Sequence, residues 1–253
     1  MCRHLAYLGP PIALASLLYD PPHSLNRQSW APRQQRFGTI NADGYGVGWY
    51  EPHVQPEPAR FRRAGPMWAD RSLESLARLV RSGAFLAAVR SATPPAPSEE
   101  TGAAPFTAGR WLFSLNGVVG GDLVAMRAQV SPSHQNGISG ASDAEILFAL
   151  FLDHLGENPN EGAGAVLGHL ATFFPGRLNM LVTDGVTIWA TAQGDSLFWR
   201  PTDGPEPSVV VASEPYDDDP GWMAVPDGSL LTTTASGGVV VPLTPTRKGT
   251  PNP

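Results

Sequence analysis

Cys2 is the only cysteine in the chain and directly follows Met1. Its small side chain permits aminopeptidase removal of Met1, which would leave a thiol and a free α-amine on one residue. The amine titrates near about 7.7–8 and the thiol near about 8.5. A neutral amine can therefore take the thiol proton, so nucleophile and base arrive together. His4 is a rival base. On a strand, residues two apart share a face but sit roughly 6.6 Å apart along it, beyond direct hydrogen-bond reach. The α-amine is the better base, and His4 is expected to be a supporting or core residue. The plain alternative for Cys2 is a small buried residue in a strand.

Other residues could hold a substrate beside that thiol. The stretch Asn41-Ala42-Asp43-Gly44-Tyr45-Gly46-Val47-Gly48-Trp49 lacks the spacing of a phosphate loop, and no lysine follows it. Its glycines suit a strand that packs closely beside a nucleophile. Arg90 ends an apolar run just before Ser91-Ala92-Thr93 and could clamp a carboxylate. Asn116-Gly117 reads as a turn, and it could also offer a side-chain amide and a backbone N–H to an oxyanion. Asp143 follows the cap residue Ser142. There it either complements a helix dipole or receives a ligand ammonium. The loop Glu214-Pro215-Tyr216-Asp217-Asp218-Asp219-Pro220 is acidic and, on charge alone, a solvated turn. The six histidines show no metal-ligand spacing, and no metal or cofactor is expected.

The elements that position these residues follow from hydrophobic period and punctuation. Cys2–Leu8 reads as a buried strand ending at Gly9-Pro10, and Ile12–Leu18 as a short helix. Gly44–Tyr50 is a strand. Asp70 caps a helix with Leu73, Leu76 and Leu79-Val80 on one face, closed by Gly83. Phe85–Arg90 is a strand, Thr93 to about Gly109 a loop, and Trp111–Leu115 a strand ended by Asn116-Gly117. After a polar loop over Ser131–Ala141, Ser142-Asp143-Ala144-Glu145 has capping-box spacing and opens an apolar helix to Gly156. Ala163–Phe174 is a third long helix. Short strands follow at Leu178–Thr183, Val186–Ala192, Val209–Ser213, Leu230–Thr234 and Val239–Leu243. Helices packed on antiparallel sheets, an α+β class, account for this alternation. One domain over 2–243 is expected, with 244–253 a mobile tail.

The net charge is −6, Lys248 is the only lysine, and the arginines form no stripe, so nucleic acid is not an expected partner. A single cysteine fits a reducing compartment. Ala13-Leu14-Ala15 imitates a signal-peptidase site, but Pro10-Pro11 interrupts the apolar run before it. That run is also too short to span a bilayer. The expected setting is the cytoplasm, with no membrane partner; the oligomeric state is open.

Taken together and in order, Cys2, the Asn41–Trp49 stretch, Arg90-Ser91-Ala92-Thr93, Asn116-Gly117 and Ser142-Asp143-Ala144-Glu145 resemble the class II glutamine amidotransferase family. These are N-terminal-nucleophile hydrolases, and the resemblance implies a four-layer αββα sandwich. It implies that Cys2 attacks a γ-glutamyl carbonyl, with Asn116 and the Gly117 N–H forming the oxyanion hole. It further implies that Arg90 and Thr93 bind the α-carboxylate and Asp143 the α-ammonium, with Asn41, Asp43 and Gly44 supporting the pocket. Leu115 departs from the histidine that many relatives have before Asn-Gly. The opening Met-Cys-Arg-His-Leu and the Ser213–Trp222 loop look most like the branch that cleaves γ-glutamyl-hercynylcysteine sulfoxide in ergothioneine biosynthesis. On that likeness Tyr216, Asp217, Asp218 and Trp222 would face a cationic leaving group. Glutathione-type compounds or glutamine stay open as substrates, as does a glutaminase subunit serving a separate synthase.

Overall fold

The computed structural model describes residues 2–92, 98–158 and 160–243. The first half of the chain forms β1 (Arg3–Ala13), α1 (Ala15–Leu18), α2 (Leu25–Gln28), β2 (Gly44–Trp49), β3 (Ala59–Arg63), α3 (Arg71–Leu79), β4 (Arg81–Arg90), β5 (Phe106–Ala108), β6 (Trp111–Val119) and α4 (Leu123–Arg127). The second half forms α5 (Pro132–Gln135), α6 (Asp143–Glu157), α7 (Ala163–Phe173), β7 (Gly176–Thr183), β8 (Ile188–Ala192), β9 (Phe198–Thr202), β10 (Ser208–Ala212), β11 (Met223–Ala224), β12 (Ser229–Thr234) and β13 (Gly237–Pro242). The strands build two antiparallel sheets, one in the order β11-β9-β10-β1-β4-β2-β3 and the other in the order β13-β12-β8-β7-β6-β5. The expected tail over 244–253 lies outside the described residues.

The period of two in a strand explains the layering. Along β1, Ala6 and Leu8 enter the core between the sheets with Leu86, Leu112, Leu181 and Val211. Leu5 and Tyr7 point the other way, into a core with Leu14, Leu18, Leu73 and Phe85 beneath α1–α3. On the second sheet, Phe113, Leu115, Met180 and Val182 meet α6 and α7. Helices therefore cover both outer faces, giving the αββα sandwich. Helix α6 is buried over most of its circumference, from Ala144 to Phe151, as an almost wholly apolar helix must be. Each buried Leu or Phe there contributes about 1.5–3 kcal/mol.

Several expectations are corrected. β1 does not stop at Gly9-Pro10. Its pairing with β10 ends at Leu8–Val209, so Pro10 and Pro11 face no partner that needs an N–H. A register shift between Leu8 and Ile12 then lets β1 resume against β4. That takes Ile12 and Ala13 from the expected helix, and α1 spans only Ala15–Leu18. Asp70 caps α3 as expected, accepting from the Ser72 and Leu73 N–H groups. The buried stripe is Leu73 and Ala77, however, and Leu76 and Leu79 are exposed. Gly83 lies inside β4; the helix ends at extended Val80, whose carbonyl accepts from Leu14 N–H. Asn116-Gly117 is not a turn but mid-strand, paired with Asn179 and Leu178. The strand ends two residues later at Val119, before Gly120-Gly121. Ser142 does cap α6, but Glu145 accepts from Ser139 and Gly140 N–H instead of closing a capping box.

Candidate active site

The sheets bring the distant polar residues together at one end of the sandwich. Arg3 pairs with Val89 and Gly44 with Arg90, so Cys2 and Gly44 flank the end of β4 in the first sheet. β6 crosses opposite, where Ser114 Oγ lies 3.1 Å from His4 Nδ1. Cys2, Arg90, Gly117 and Asp143 all line one cavity of about 290 Å³. Four segments far apart in sequence thus supply one wall each.

Burial pushes the Cys2 thiol pKa up. The chain's amino terminus, the Ser91 backbone and Arg90 pull it back, and Asp143 pushes it further up. A thiol with a raised pKa is protonated at neutral pH and needs a base within reach. His4 does not supply one. It is fully buried, and burial together with Arg3 lowers its pKa to about 3. Its Nδ1 is held at Ser114, so His4 is the neutral supporting residue expected from the strand spacing.

Arg90 lies against the turn at Gly102. A Cβ on Gly102 would come within 2.8 Å of the Arg90 Cζ, so only glycine lets the backbone lie flat on the guanidinium. The Arg90 Nη1 also approaches the Asp43 carbonyl at 3.5 Å. Asp43 supports this corner through its carboxylate, which accepts from the Ala92 N–H at 2.8 Å. Its own N–H donates to the Arg90 carbonyl at 2.9 Å. Gly44 follows at a φ of +151°, with Ala103 3.1 Å from where a Cβ would stand. Thr93 lies outside the described residues.

Asp143 joins α6 to the end of β6. Its Oδ2 accepts from the Val119 N–H and its Oδ1 from the Ala144 N–H, each at 2.9 Å. A carboxylate has about four acceptor sites, which leaves capacity for a ligand ammonium. Asn116 is fully buried, and neither its Nδ2 nor its Oδ1 has a partner among the described residues. Buried amides are normally paired; Asn116 is itself not on the cavity wall, although its neighbours Leu115 and Gly117 are. Gly117 has a φ of +152°, and a Cβ there would be 1.9 Å from the Arg177 carbonyl oxygen. Leu115 points into the core under α6 and also borders the cavity.

The remaining candidates stand apart. Asn41 is fully buried but not on the cavity wall. It pins its own loop, with its N–H donating to Ser29 O at 2.6 Å and its Nδ2 to Gln28 O and Gln35 Oε1. Tyr216, Asp217, Asp218 and Trp222, the expected leaving-group contacts, do not line this cavity. Arg200 on β9 draws the first two inward, donating to the Tyr216 hydroxyl and pairing with Asp217 at 3.1 Å. Trp222 donates to Asp217 at 2.7 Å and packs edge-on against Tyr216. Asp218 is exposed and faces Arg33.

Arg3 went unassigned in the sequence. It is fully buried, 3.4 Å from Glu214 Oε1. Glu214 Oε2 meets His23 Nε2 at 2.8 Å and accepts from the Arg33 N–H at 2.7 Å. Burial raises the Glu214 pKa, but His23, Arg3 and the backbone N–H groups of Arg33 and Gln34 outweigh it and hold the carboxyl below its usual range. One carboxylate therefore ties the nucleophile's strand to the loop that carries Asn41. The available clue was an arginine directly after the nucleophile in an otherwise apolar strand.

Comparison with known proteins identifies the family. The family model described as glutamine amidotransferases class-II matches residues 20–205. The gamma-glutamyl-hercynylcysteine sulfoxide hydrolase of Mycobacterium tuberculosis is 43% identical over 238 residues, 94% of each chain. Its namesake in Mycolicibacterium smegmatis is 41% identical, covering 96% of this chain and all of the relative. Among solved structures, a glutamine aminotransferase class-II domain protein from Silicibacter pomeroyi matches with a TM-score of 0.66 at 26% identity, over 96% of this chain and 100% of its own. The glutamine phosphoribosylpyrophosphate amidotransferase of B. subtilis gives the same score at 16% identity, and this chain spans 49% of it, a likeness of fold alone. Among the described residues no helix is long and apolar enough to cross a membrane. The chain belongs to the class II glutamine amidotransferase family and has the αββα sandwich of N-terminal-nucleophile hydrolases.

Proposed function

We propose that the protein hydrolyses the γ-glutamyl amide of γ-glutamyl-hercynylcysteine sulfoxide, releasing glutamate and hercynylcysteine sulfoxide. The observation that carries this reading is the meeting of Cys2, Arg90, Gly117 and Asp143 around one cavity. A γ-glutamyl group has a carboxylate and an ammonium at one end and an amide at the other. Arg90, with Thr93, takes the carboxylate; Asp143 takes the ammonium; the amide carbonyl then lies at Cys2. The choice of leaving group is supported by relatives of that name at 41–43% identity over nearly the whole chain.

Removal of Met1 frees the Cys2 amine, which accepts the thiol proton as sulfur attacks the γ-carbonyl carbon. Asn116 Nδ2 and the Gly117 N–H stabilise the oxyanion. The amide C–N bond breaks, and the amine returns the proton to the departing nitrogen. Water, deprotonated by the same amine, cleaves the γ-glutamyl thioester, restoring the thiol and releasing glutamate. Asn41, Asp43 and Gly44 hold the surrounding backbone. The unit is residues 2–243, working in the cytoplasm, where Cys2 stays reduced.

The Met1-processed protein incubated with the γ-glutamyl sulfoxide should release glutamate, and Cys2→Ala should reduce the release to background. Equal release by that variant, or none by the parent protein, would refute the proposal.

A further inference from the structure

A second concavity of about 140 Å³ adjoins the first, and Phe106 lines both. Its floor is apolar, with Phe148, Leu152 and Ile138, and its rim carries Arg60 and Arg62. These arginines are two apart on β3 and so share a face. Among the described residues neither makes an ion pair, and Glu100 and Glu145 act on Arg60 only as longer-range attractions. Arg62 donates to the Thr101 and Ala103 carbonyls at 3.2 Å, and Arg60 reaches only the Pro105 carbonyl at 3.5 Å. The acidic group in this concavity, Glu145, already accepts from the Ser139 and Gly140 N–H groups. The His134 ring on the same wall is engaged by Asp153 at 2.5 Å.

We infer that this second cavity is a subsite for a carboxylate of the leaving group, bound by Arg60 with Arg62 beyond the Phe106 partition. The inference rests on the γ-glutamyl hydrolase reading and deepens it. Hercynylcysteine sulfoxide has one carboxylate beside the scissile nitrogen and another on its trimethylammonium-bearing carbon. Its imidazole ring and methyl groups suit the apolar floor. Ammonia, the leaving group of glutamine, has nothing to place there. Arginine is suited to planar recognition of carboxylates, and a mostly apolar pocket with a few convergent polar groups fixes orientation. Specificity at this position arises on the leaving-group side, away from the acidic loop around Asp217.

The test compares kcat/KM for three substrates: the γ-glutamyl sulfoxide, γ-glutamylcysteine and γ-glutamyl ethylamide, whose leaving group has no carboxylate. The readout is the ratio of each carboxylate substrate to the ethylamide. In Arg60→Gln the sulfoxide ratio should fall about tenfold, and Arg60→Lys should recover part of it. A fall for γ-glutamylcysteine as well assigns the carboxylate beside the scissile nitrogen; a fall for the sulfoxide alone assigns the distal one. A sulfoxide ratio within twofold of the parent's overturns the subsite while leaving the hydrolase reading intact. A parent enzyme that cleaves the ethylamide but not the sulfoxide overturns both the subsite and the proposed substrate.

Discussion

At the scale of single residues the chemistry depends on groups that are unsatisfied at rest. Asn116 keeps its amide unpaired inside the sandwich, although an unpaired buried polar group costs about 1–3 kcal/mol. On the proposed reading, a donor kept for a charge that appears only in the transition state offsets such a cost. Asn116→Ala should therefore lower kcat by about 10²–10³-fold with little change in KM, measured by glutamate release. A rise in KM at constant kcat would place Asn116 in ground-state binding instead. Taken singly, Cys2, Arg90, Asn116 and Asp143 each had an ordinary structural explanation; their order along the chain, and the family it resembles, made them candidates. The isolation of Asn116 from partners was not legible, since it depends on the opposing sheet.

Elements set the geometry of those residues. The end of β4 is braced by Gly44 on one side and by the turn at Gly102 on the other. In Gly102→Ala the new methyl would press on the flexible end of Arg90 and displace the guanidinium instead of the backbone. Stability should change by less than about 1 kcal/mol, while KM for γ-glutamyl substrates should rise about tenfold, the worth of roughly one charged hydrogen bond. Analogues lacking the α-carboxylate should show no such rise; an equal effect on them would remove Arg90 from carboxylate binding. Most long elements were readable from their period, including α6, α7, β4 and β7. The misplaced strand ends have one cause: punctuation was weighed without partners. Pro10-Pro11 and Asn116-Gly117 break strands only where a neighbour demands an N–H or the chain is free to turn. Here β10 ends before Pro10, while β7 continues past Asn116. Short pieces at or near the sheet edges, such as β3, β5, β9 and β11, were invisible because their pairing, not their composition, makes them strands.

At the scale of the whole molecule, buried ionisable groups on and around β1 set the response to pH. His4 is neutral in the fold, with its pKa lowered to about 3 by burial and Arg3, while an unfolded histidine titrates near about 6.5. The unfolded chain therefore binds the extra proton between these values, and stability declines as pH falls through that window. Glu214 acts in the same direction, because its lowered pKa contributes stability that is lost as pH falls through the folded value. The melting temperature should drop progressively below pH 6.5, and His4→Gln should flatten that slope; an unchanged slope would mean that His4 is not held neutral. Helices packed on antiparallel sheets were legible from strands flanking long apolar helices, whereas the four-layer order was implied by the family resemblance. Which ends of the strands converge was not legible, because convergence depends on strand order.

The most direct test of the central claim is intact mass spectrometry of active protein before and after treatment with a γ-glutamyl diazoketone, an electrophilic glutamine analogue. The predicted result is a chain lacking Met1 that gains one adduct, mapped to Cys2, as activity disappears. Full activity in protein that retains Met1, or inactivation with the adduct on any other residue, would contradict it.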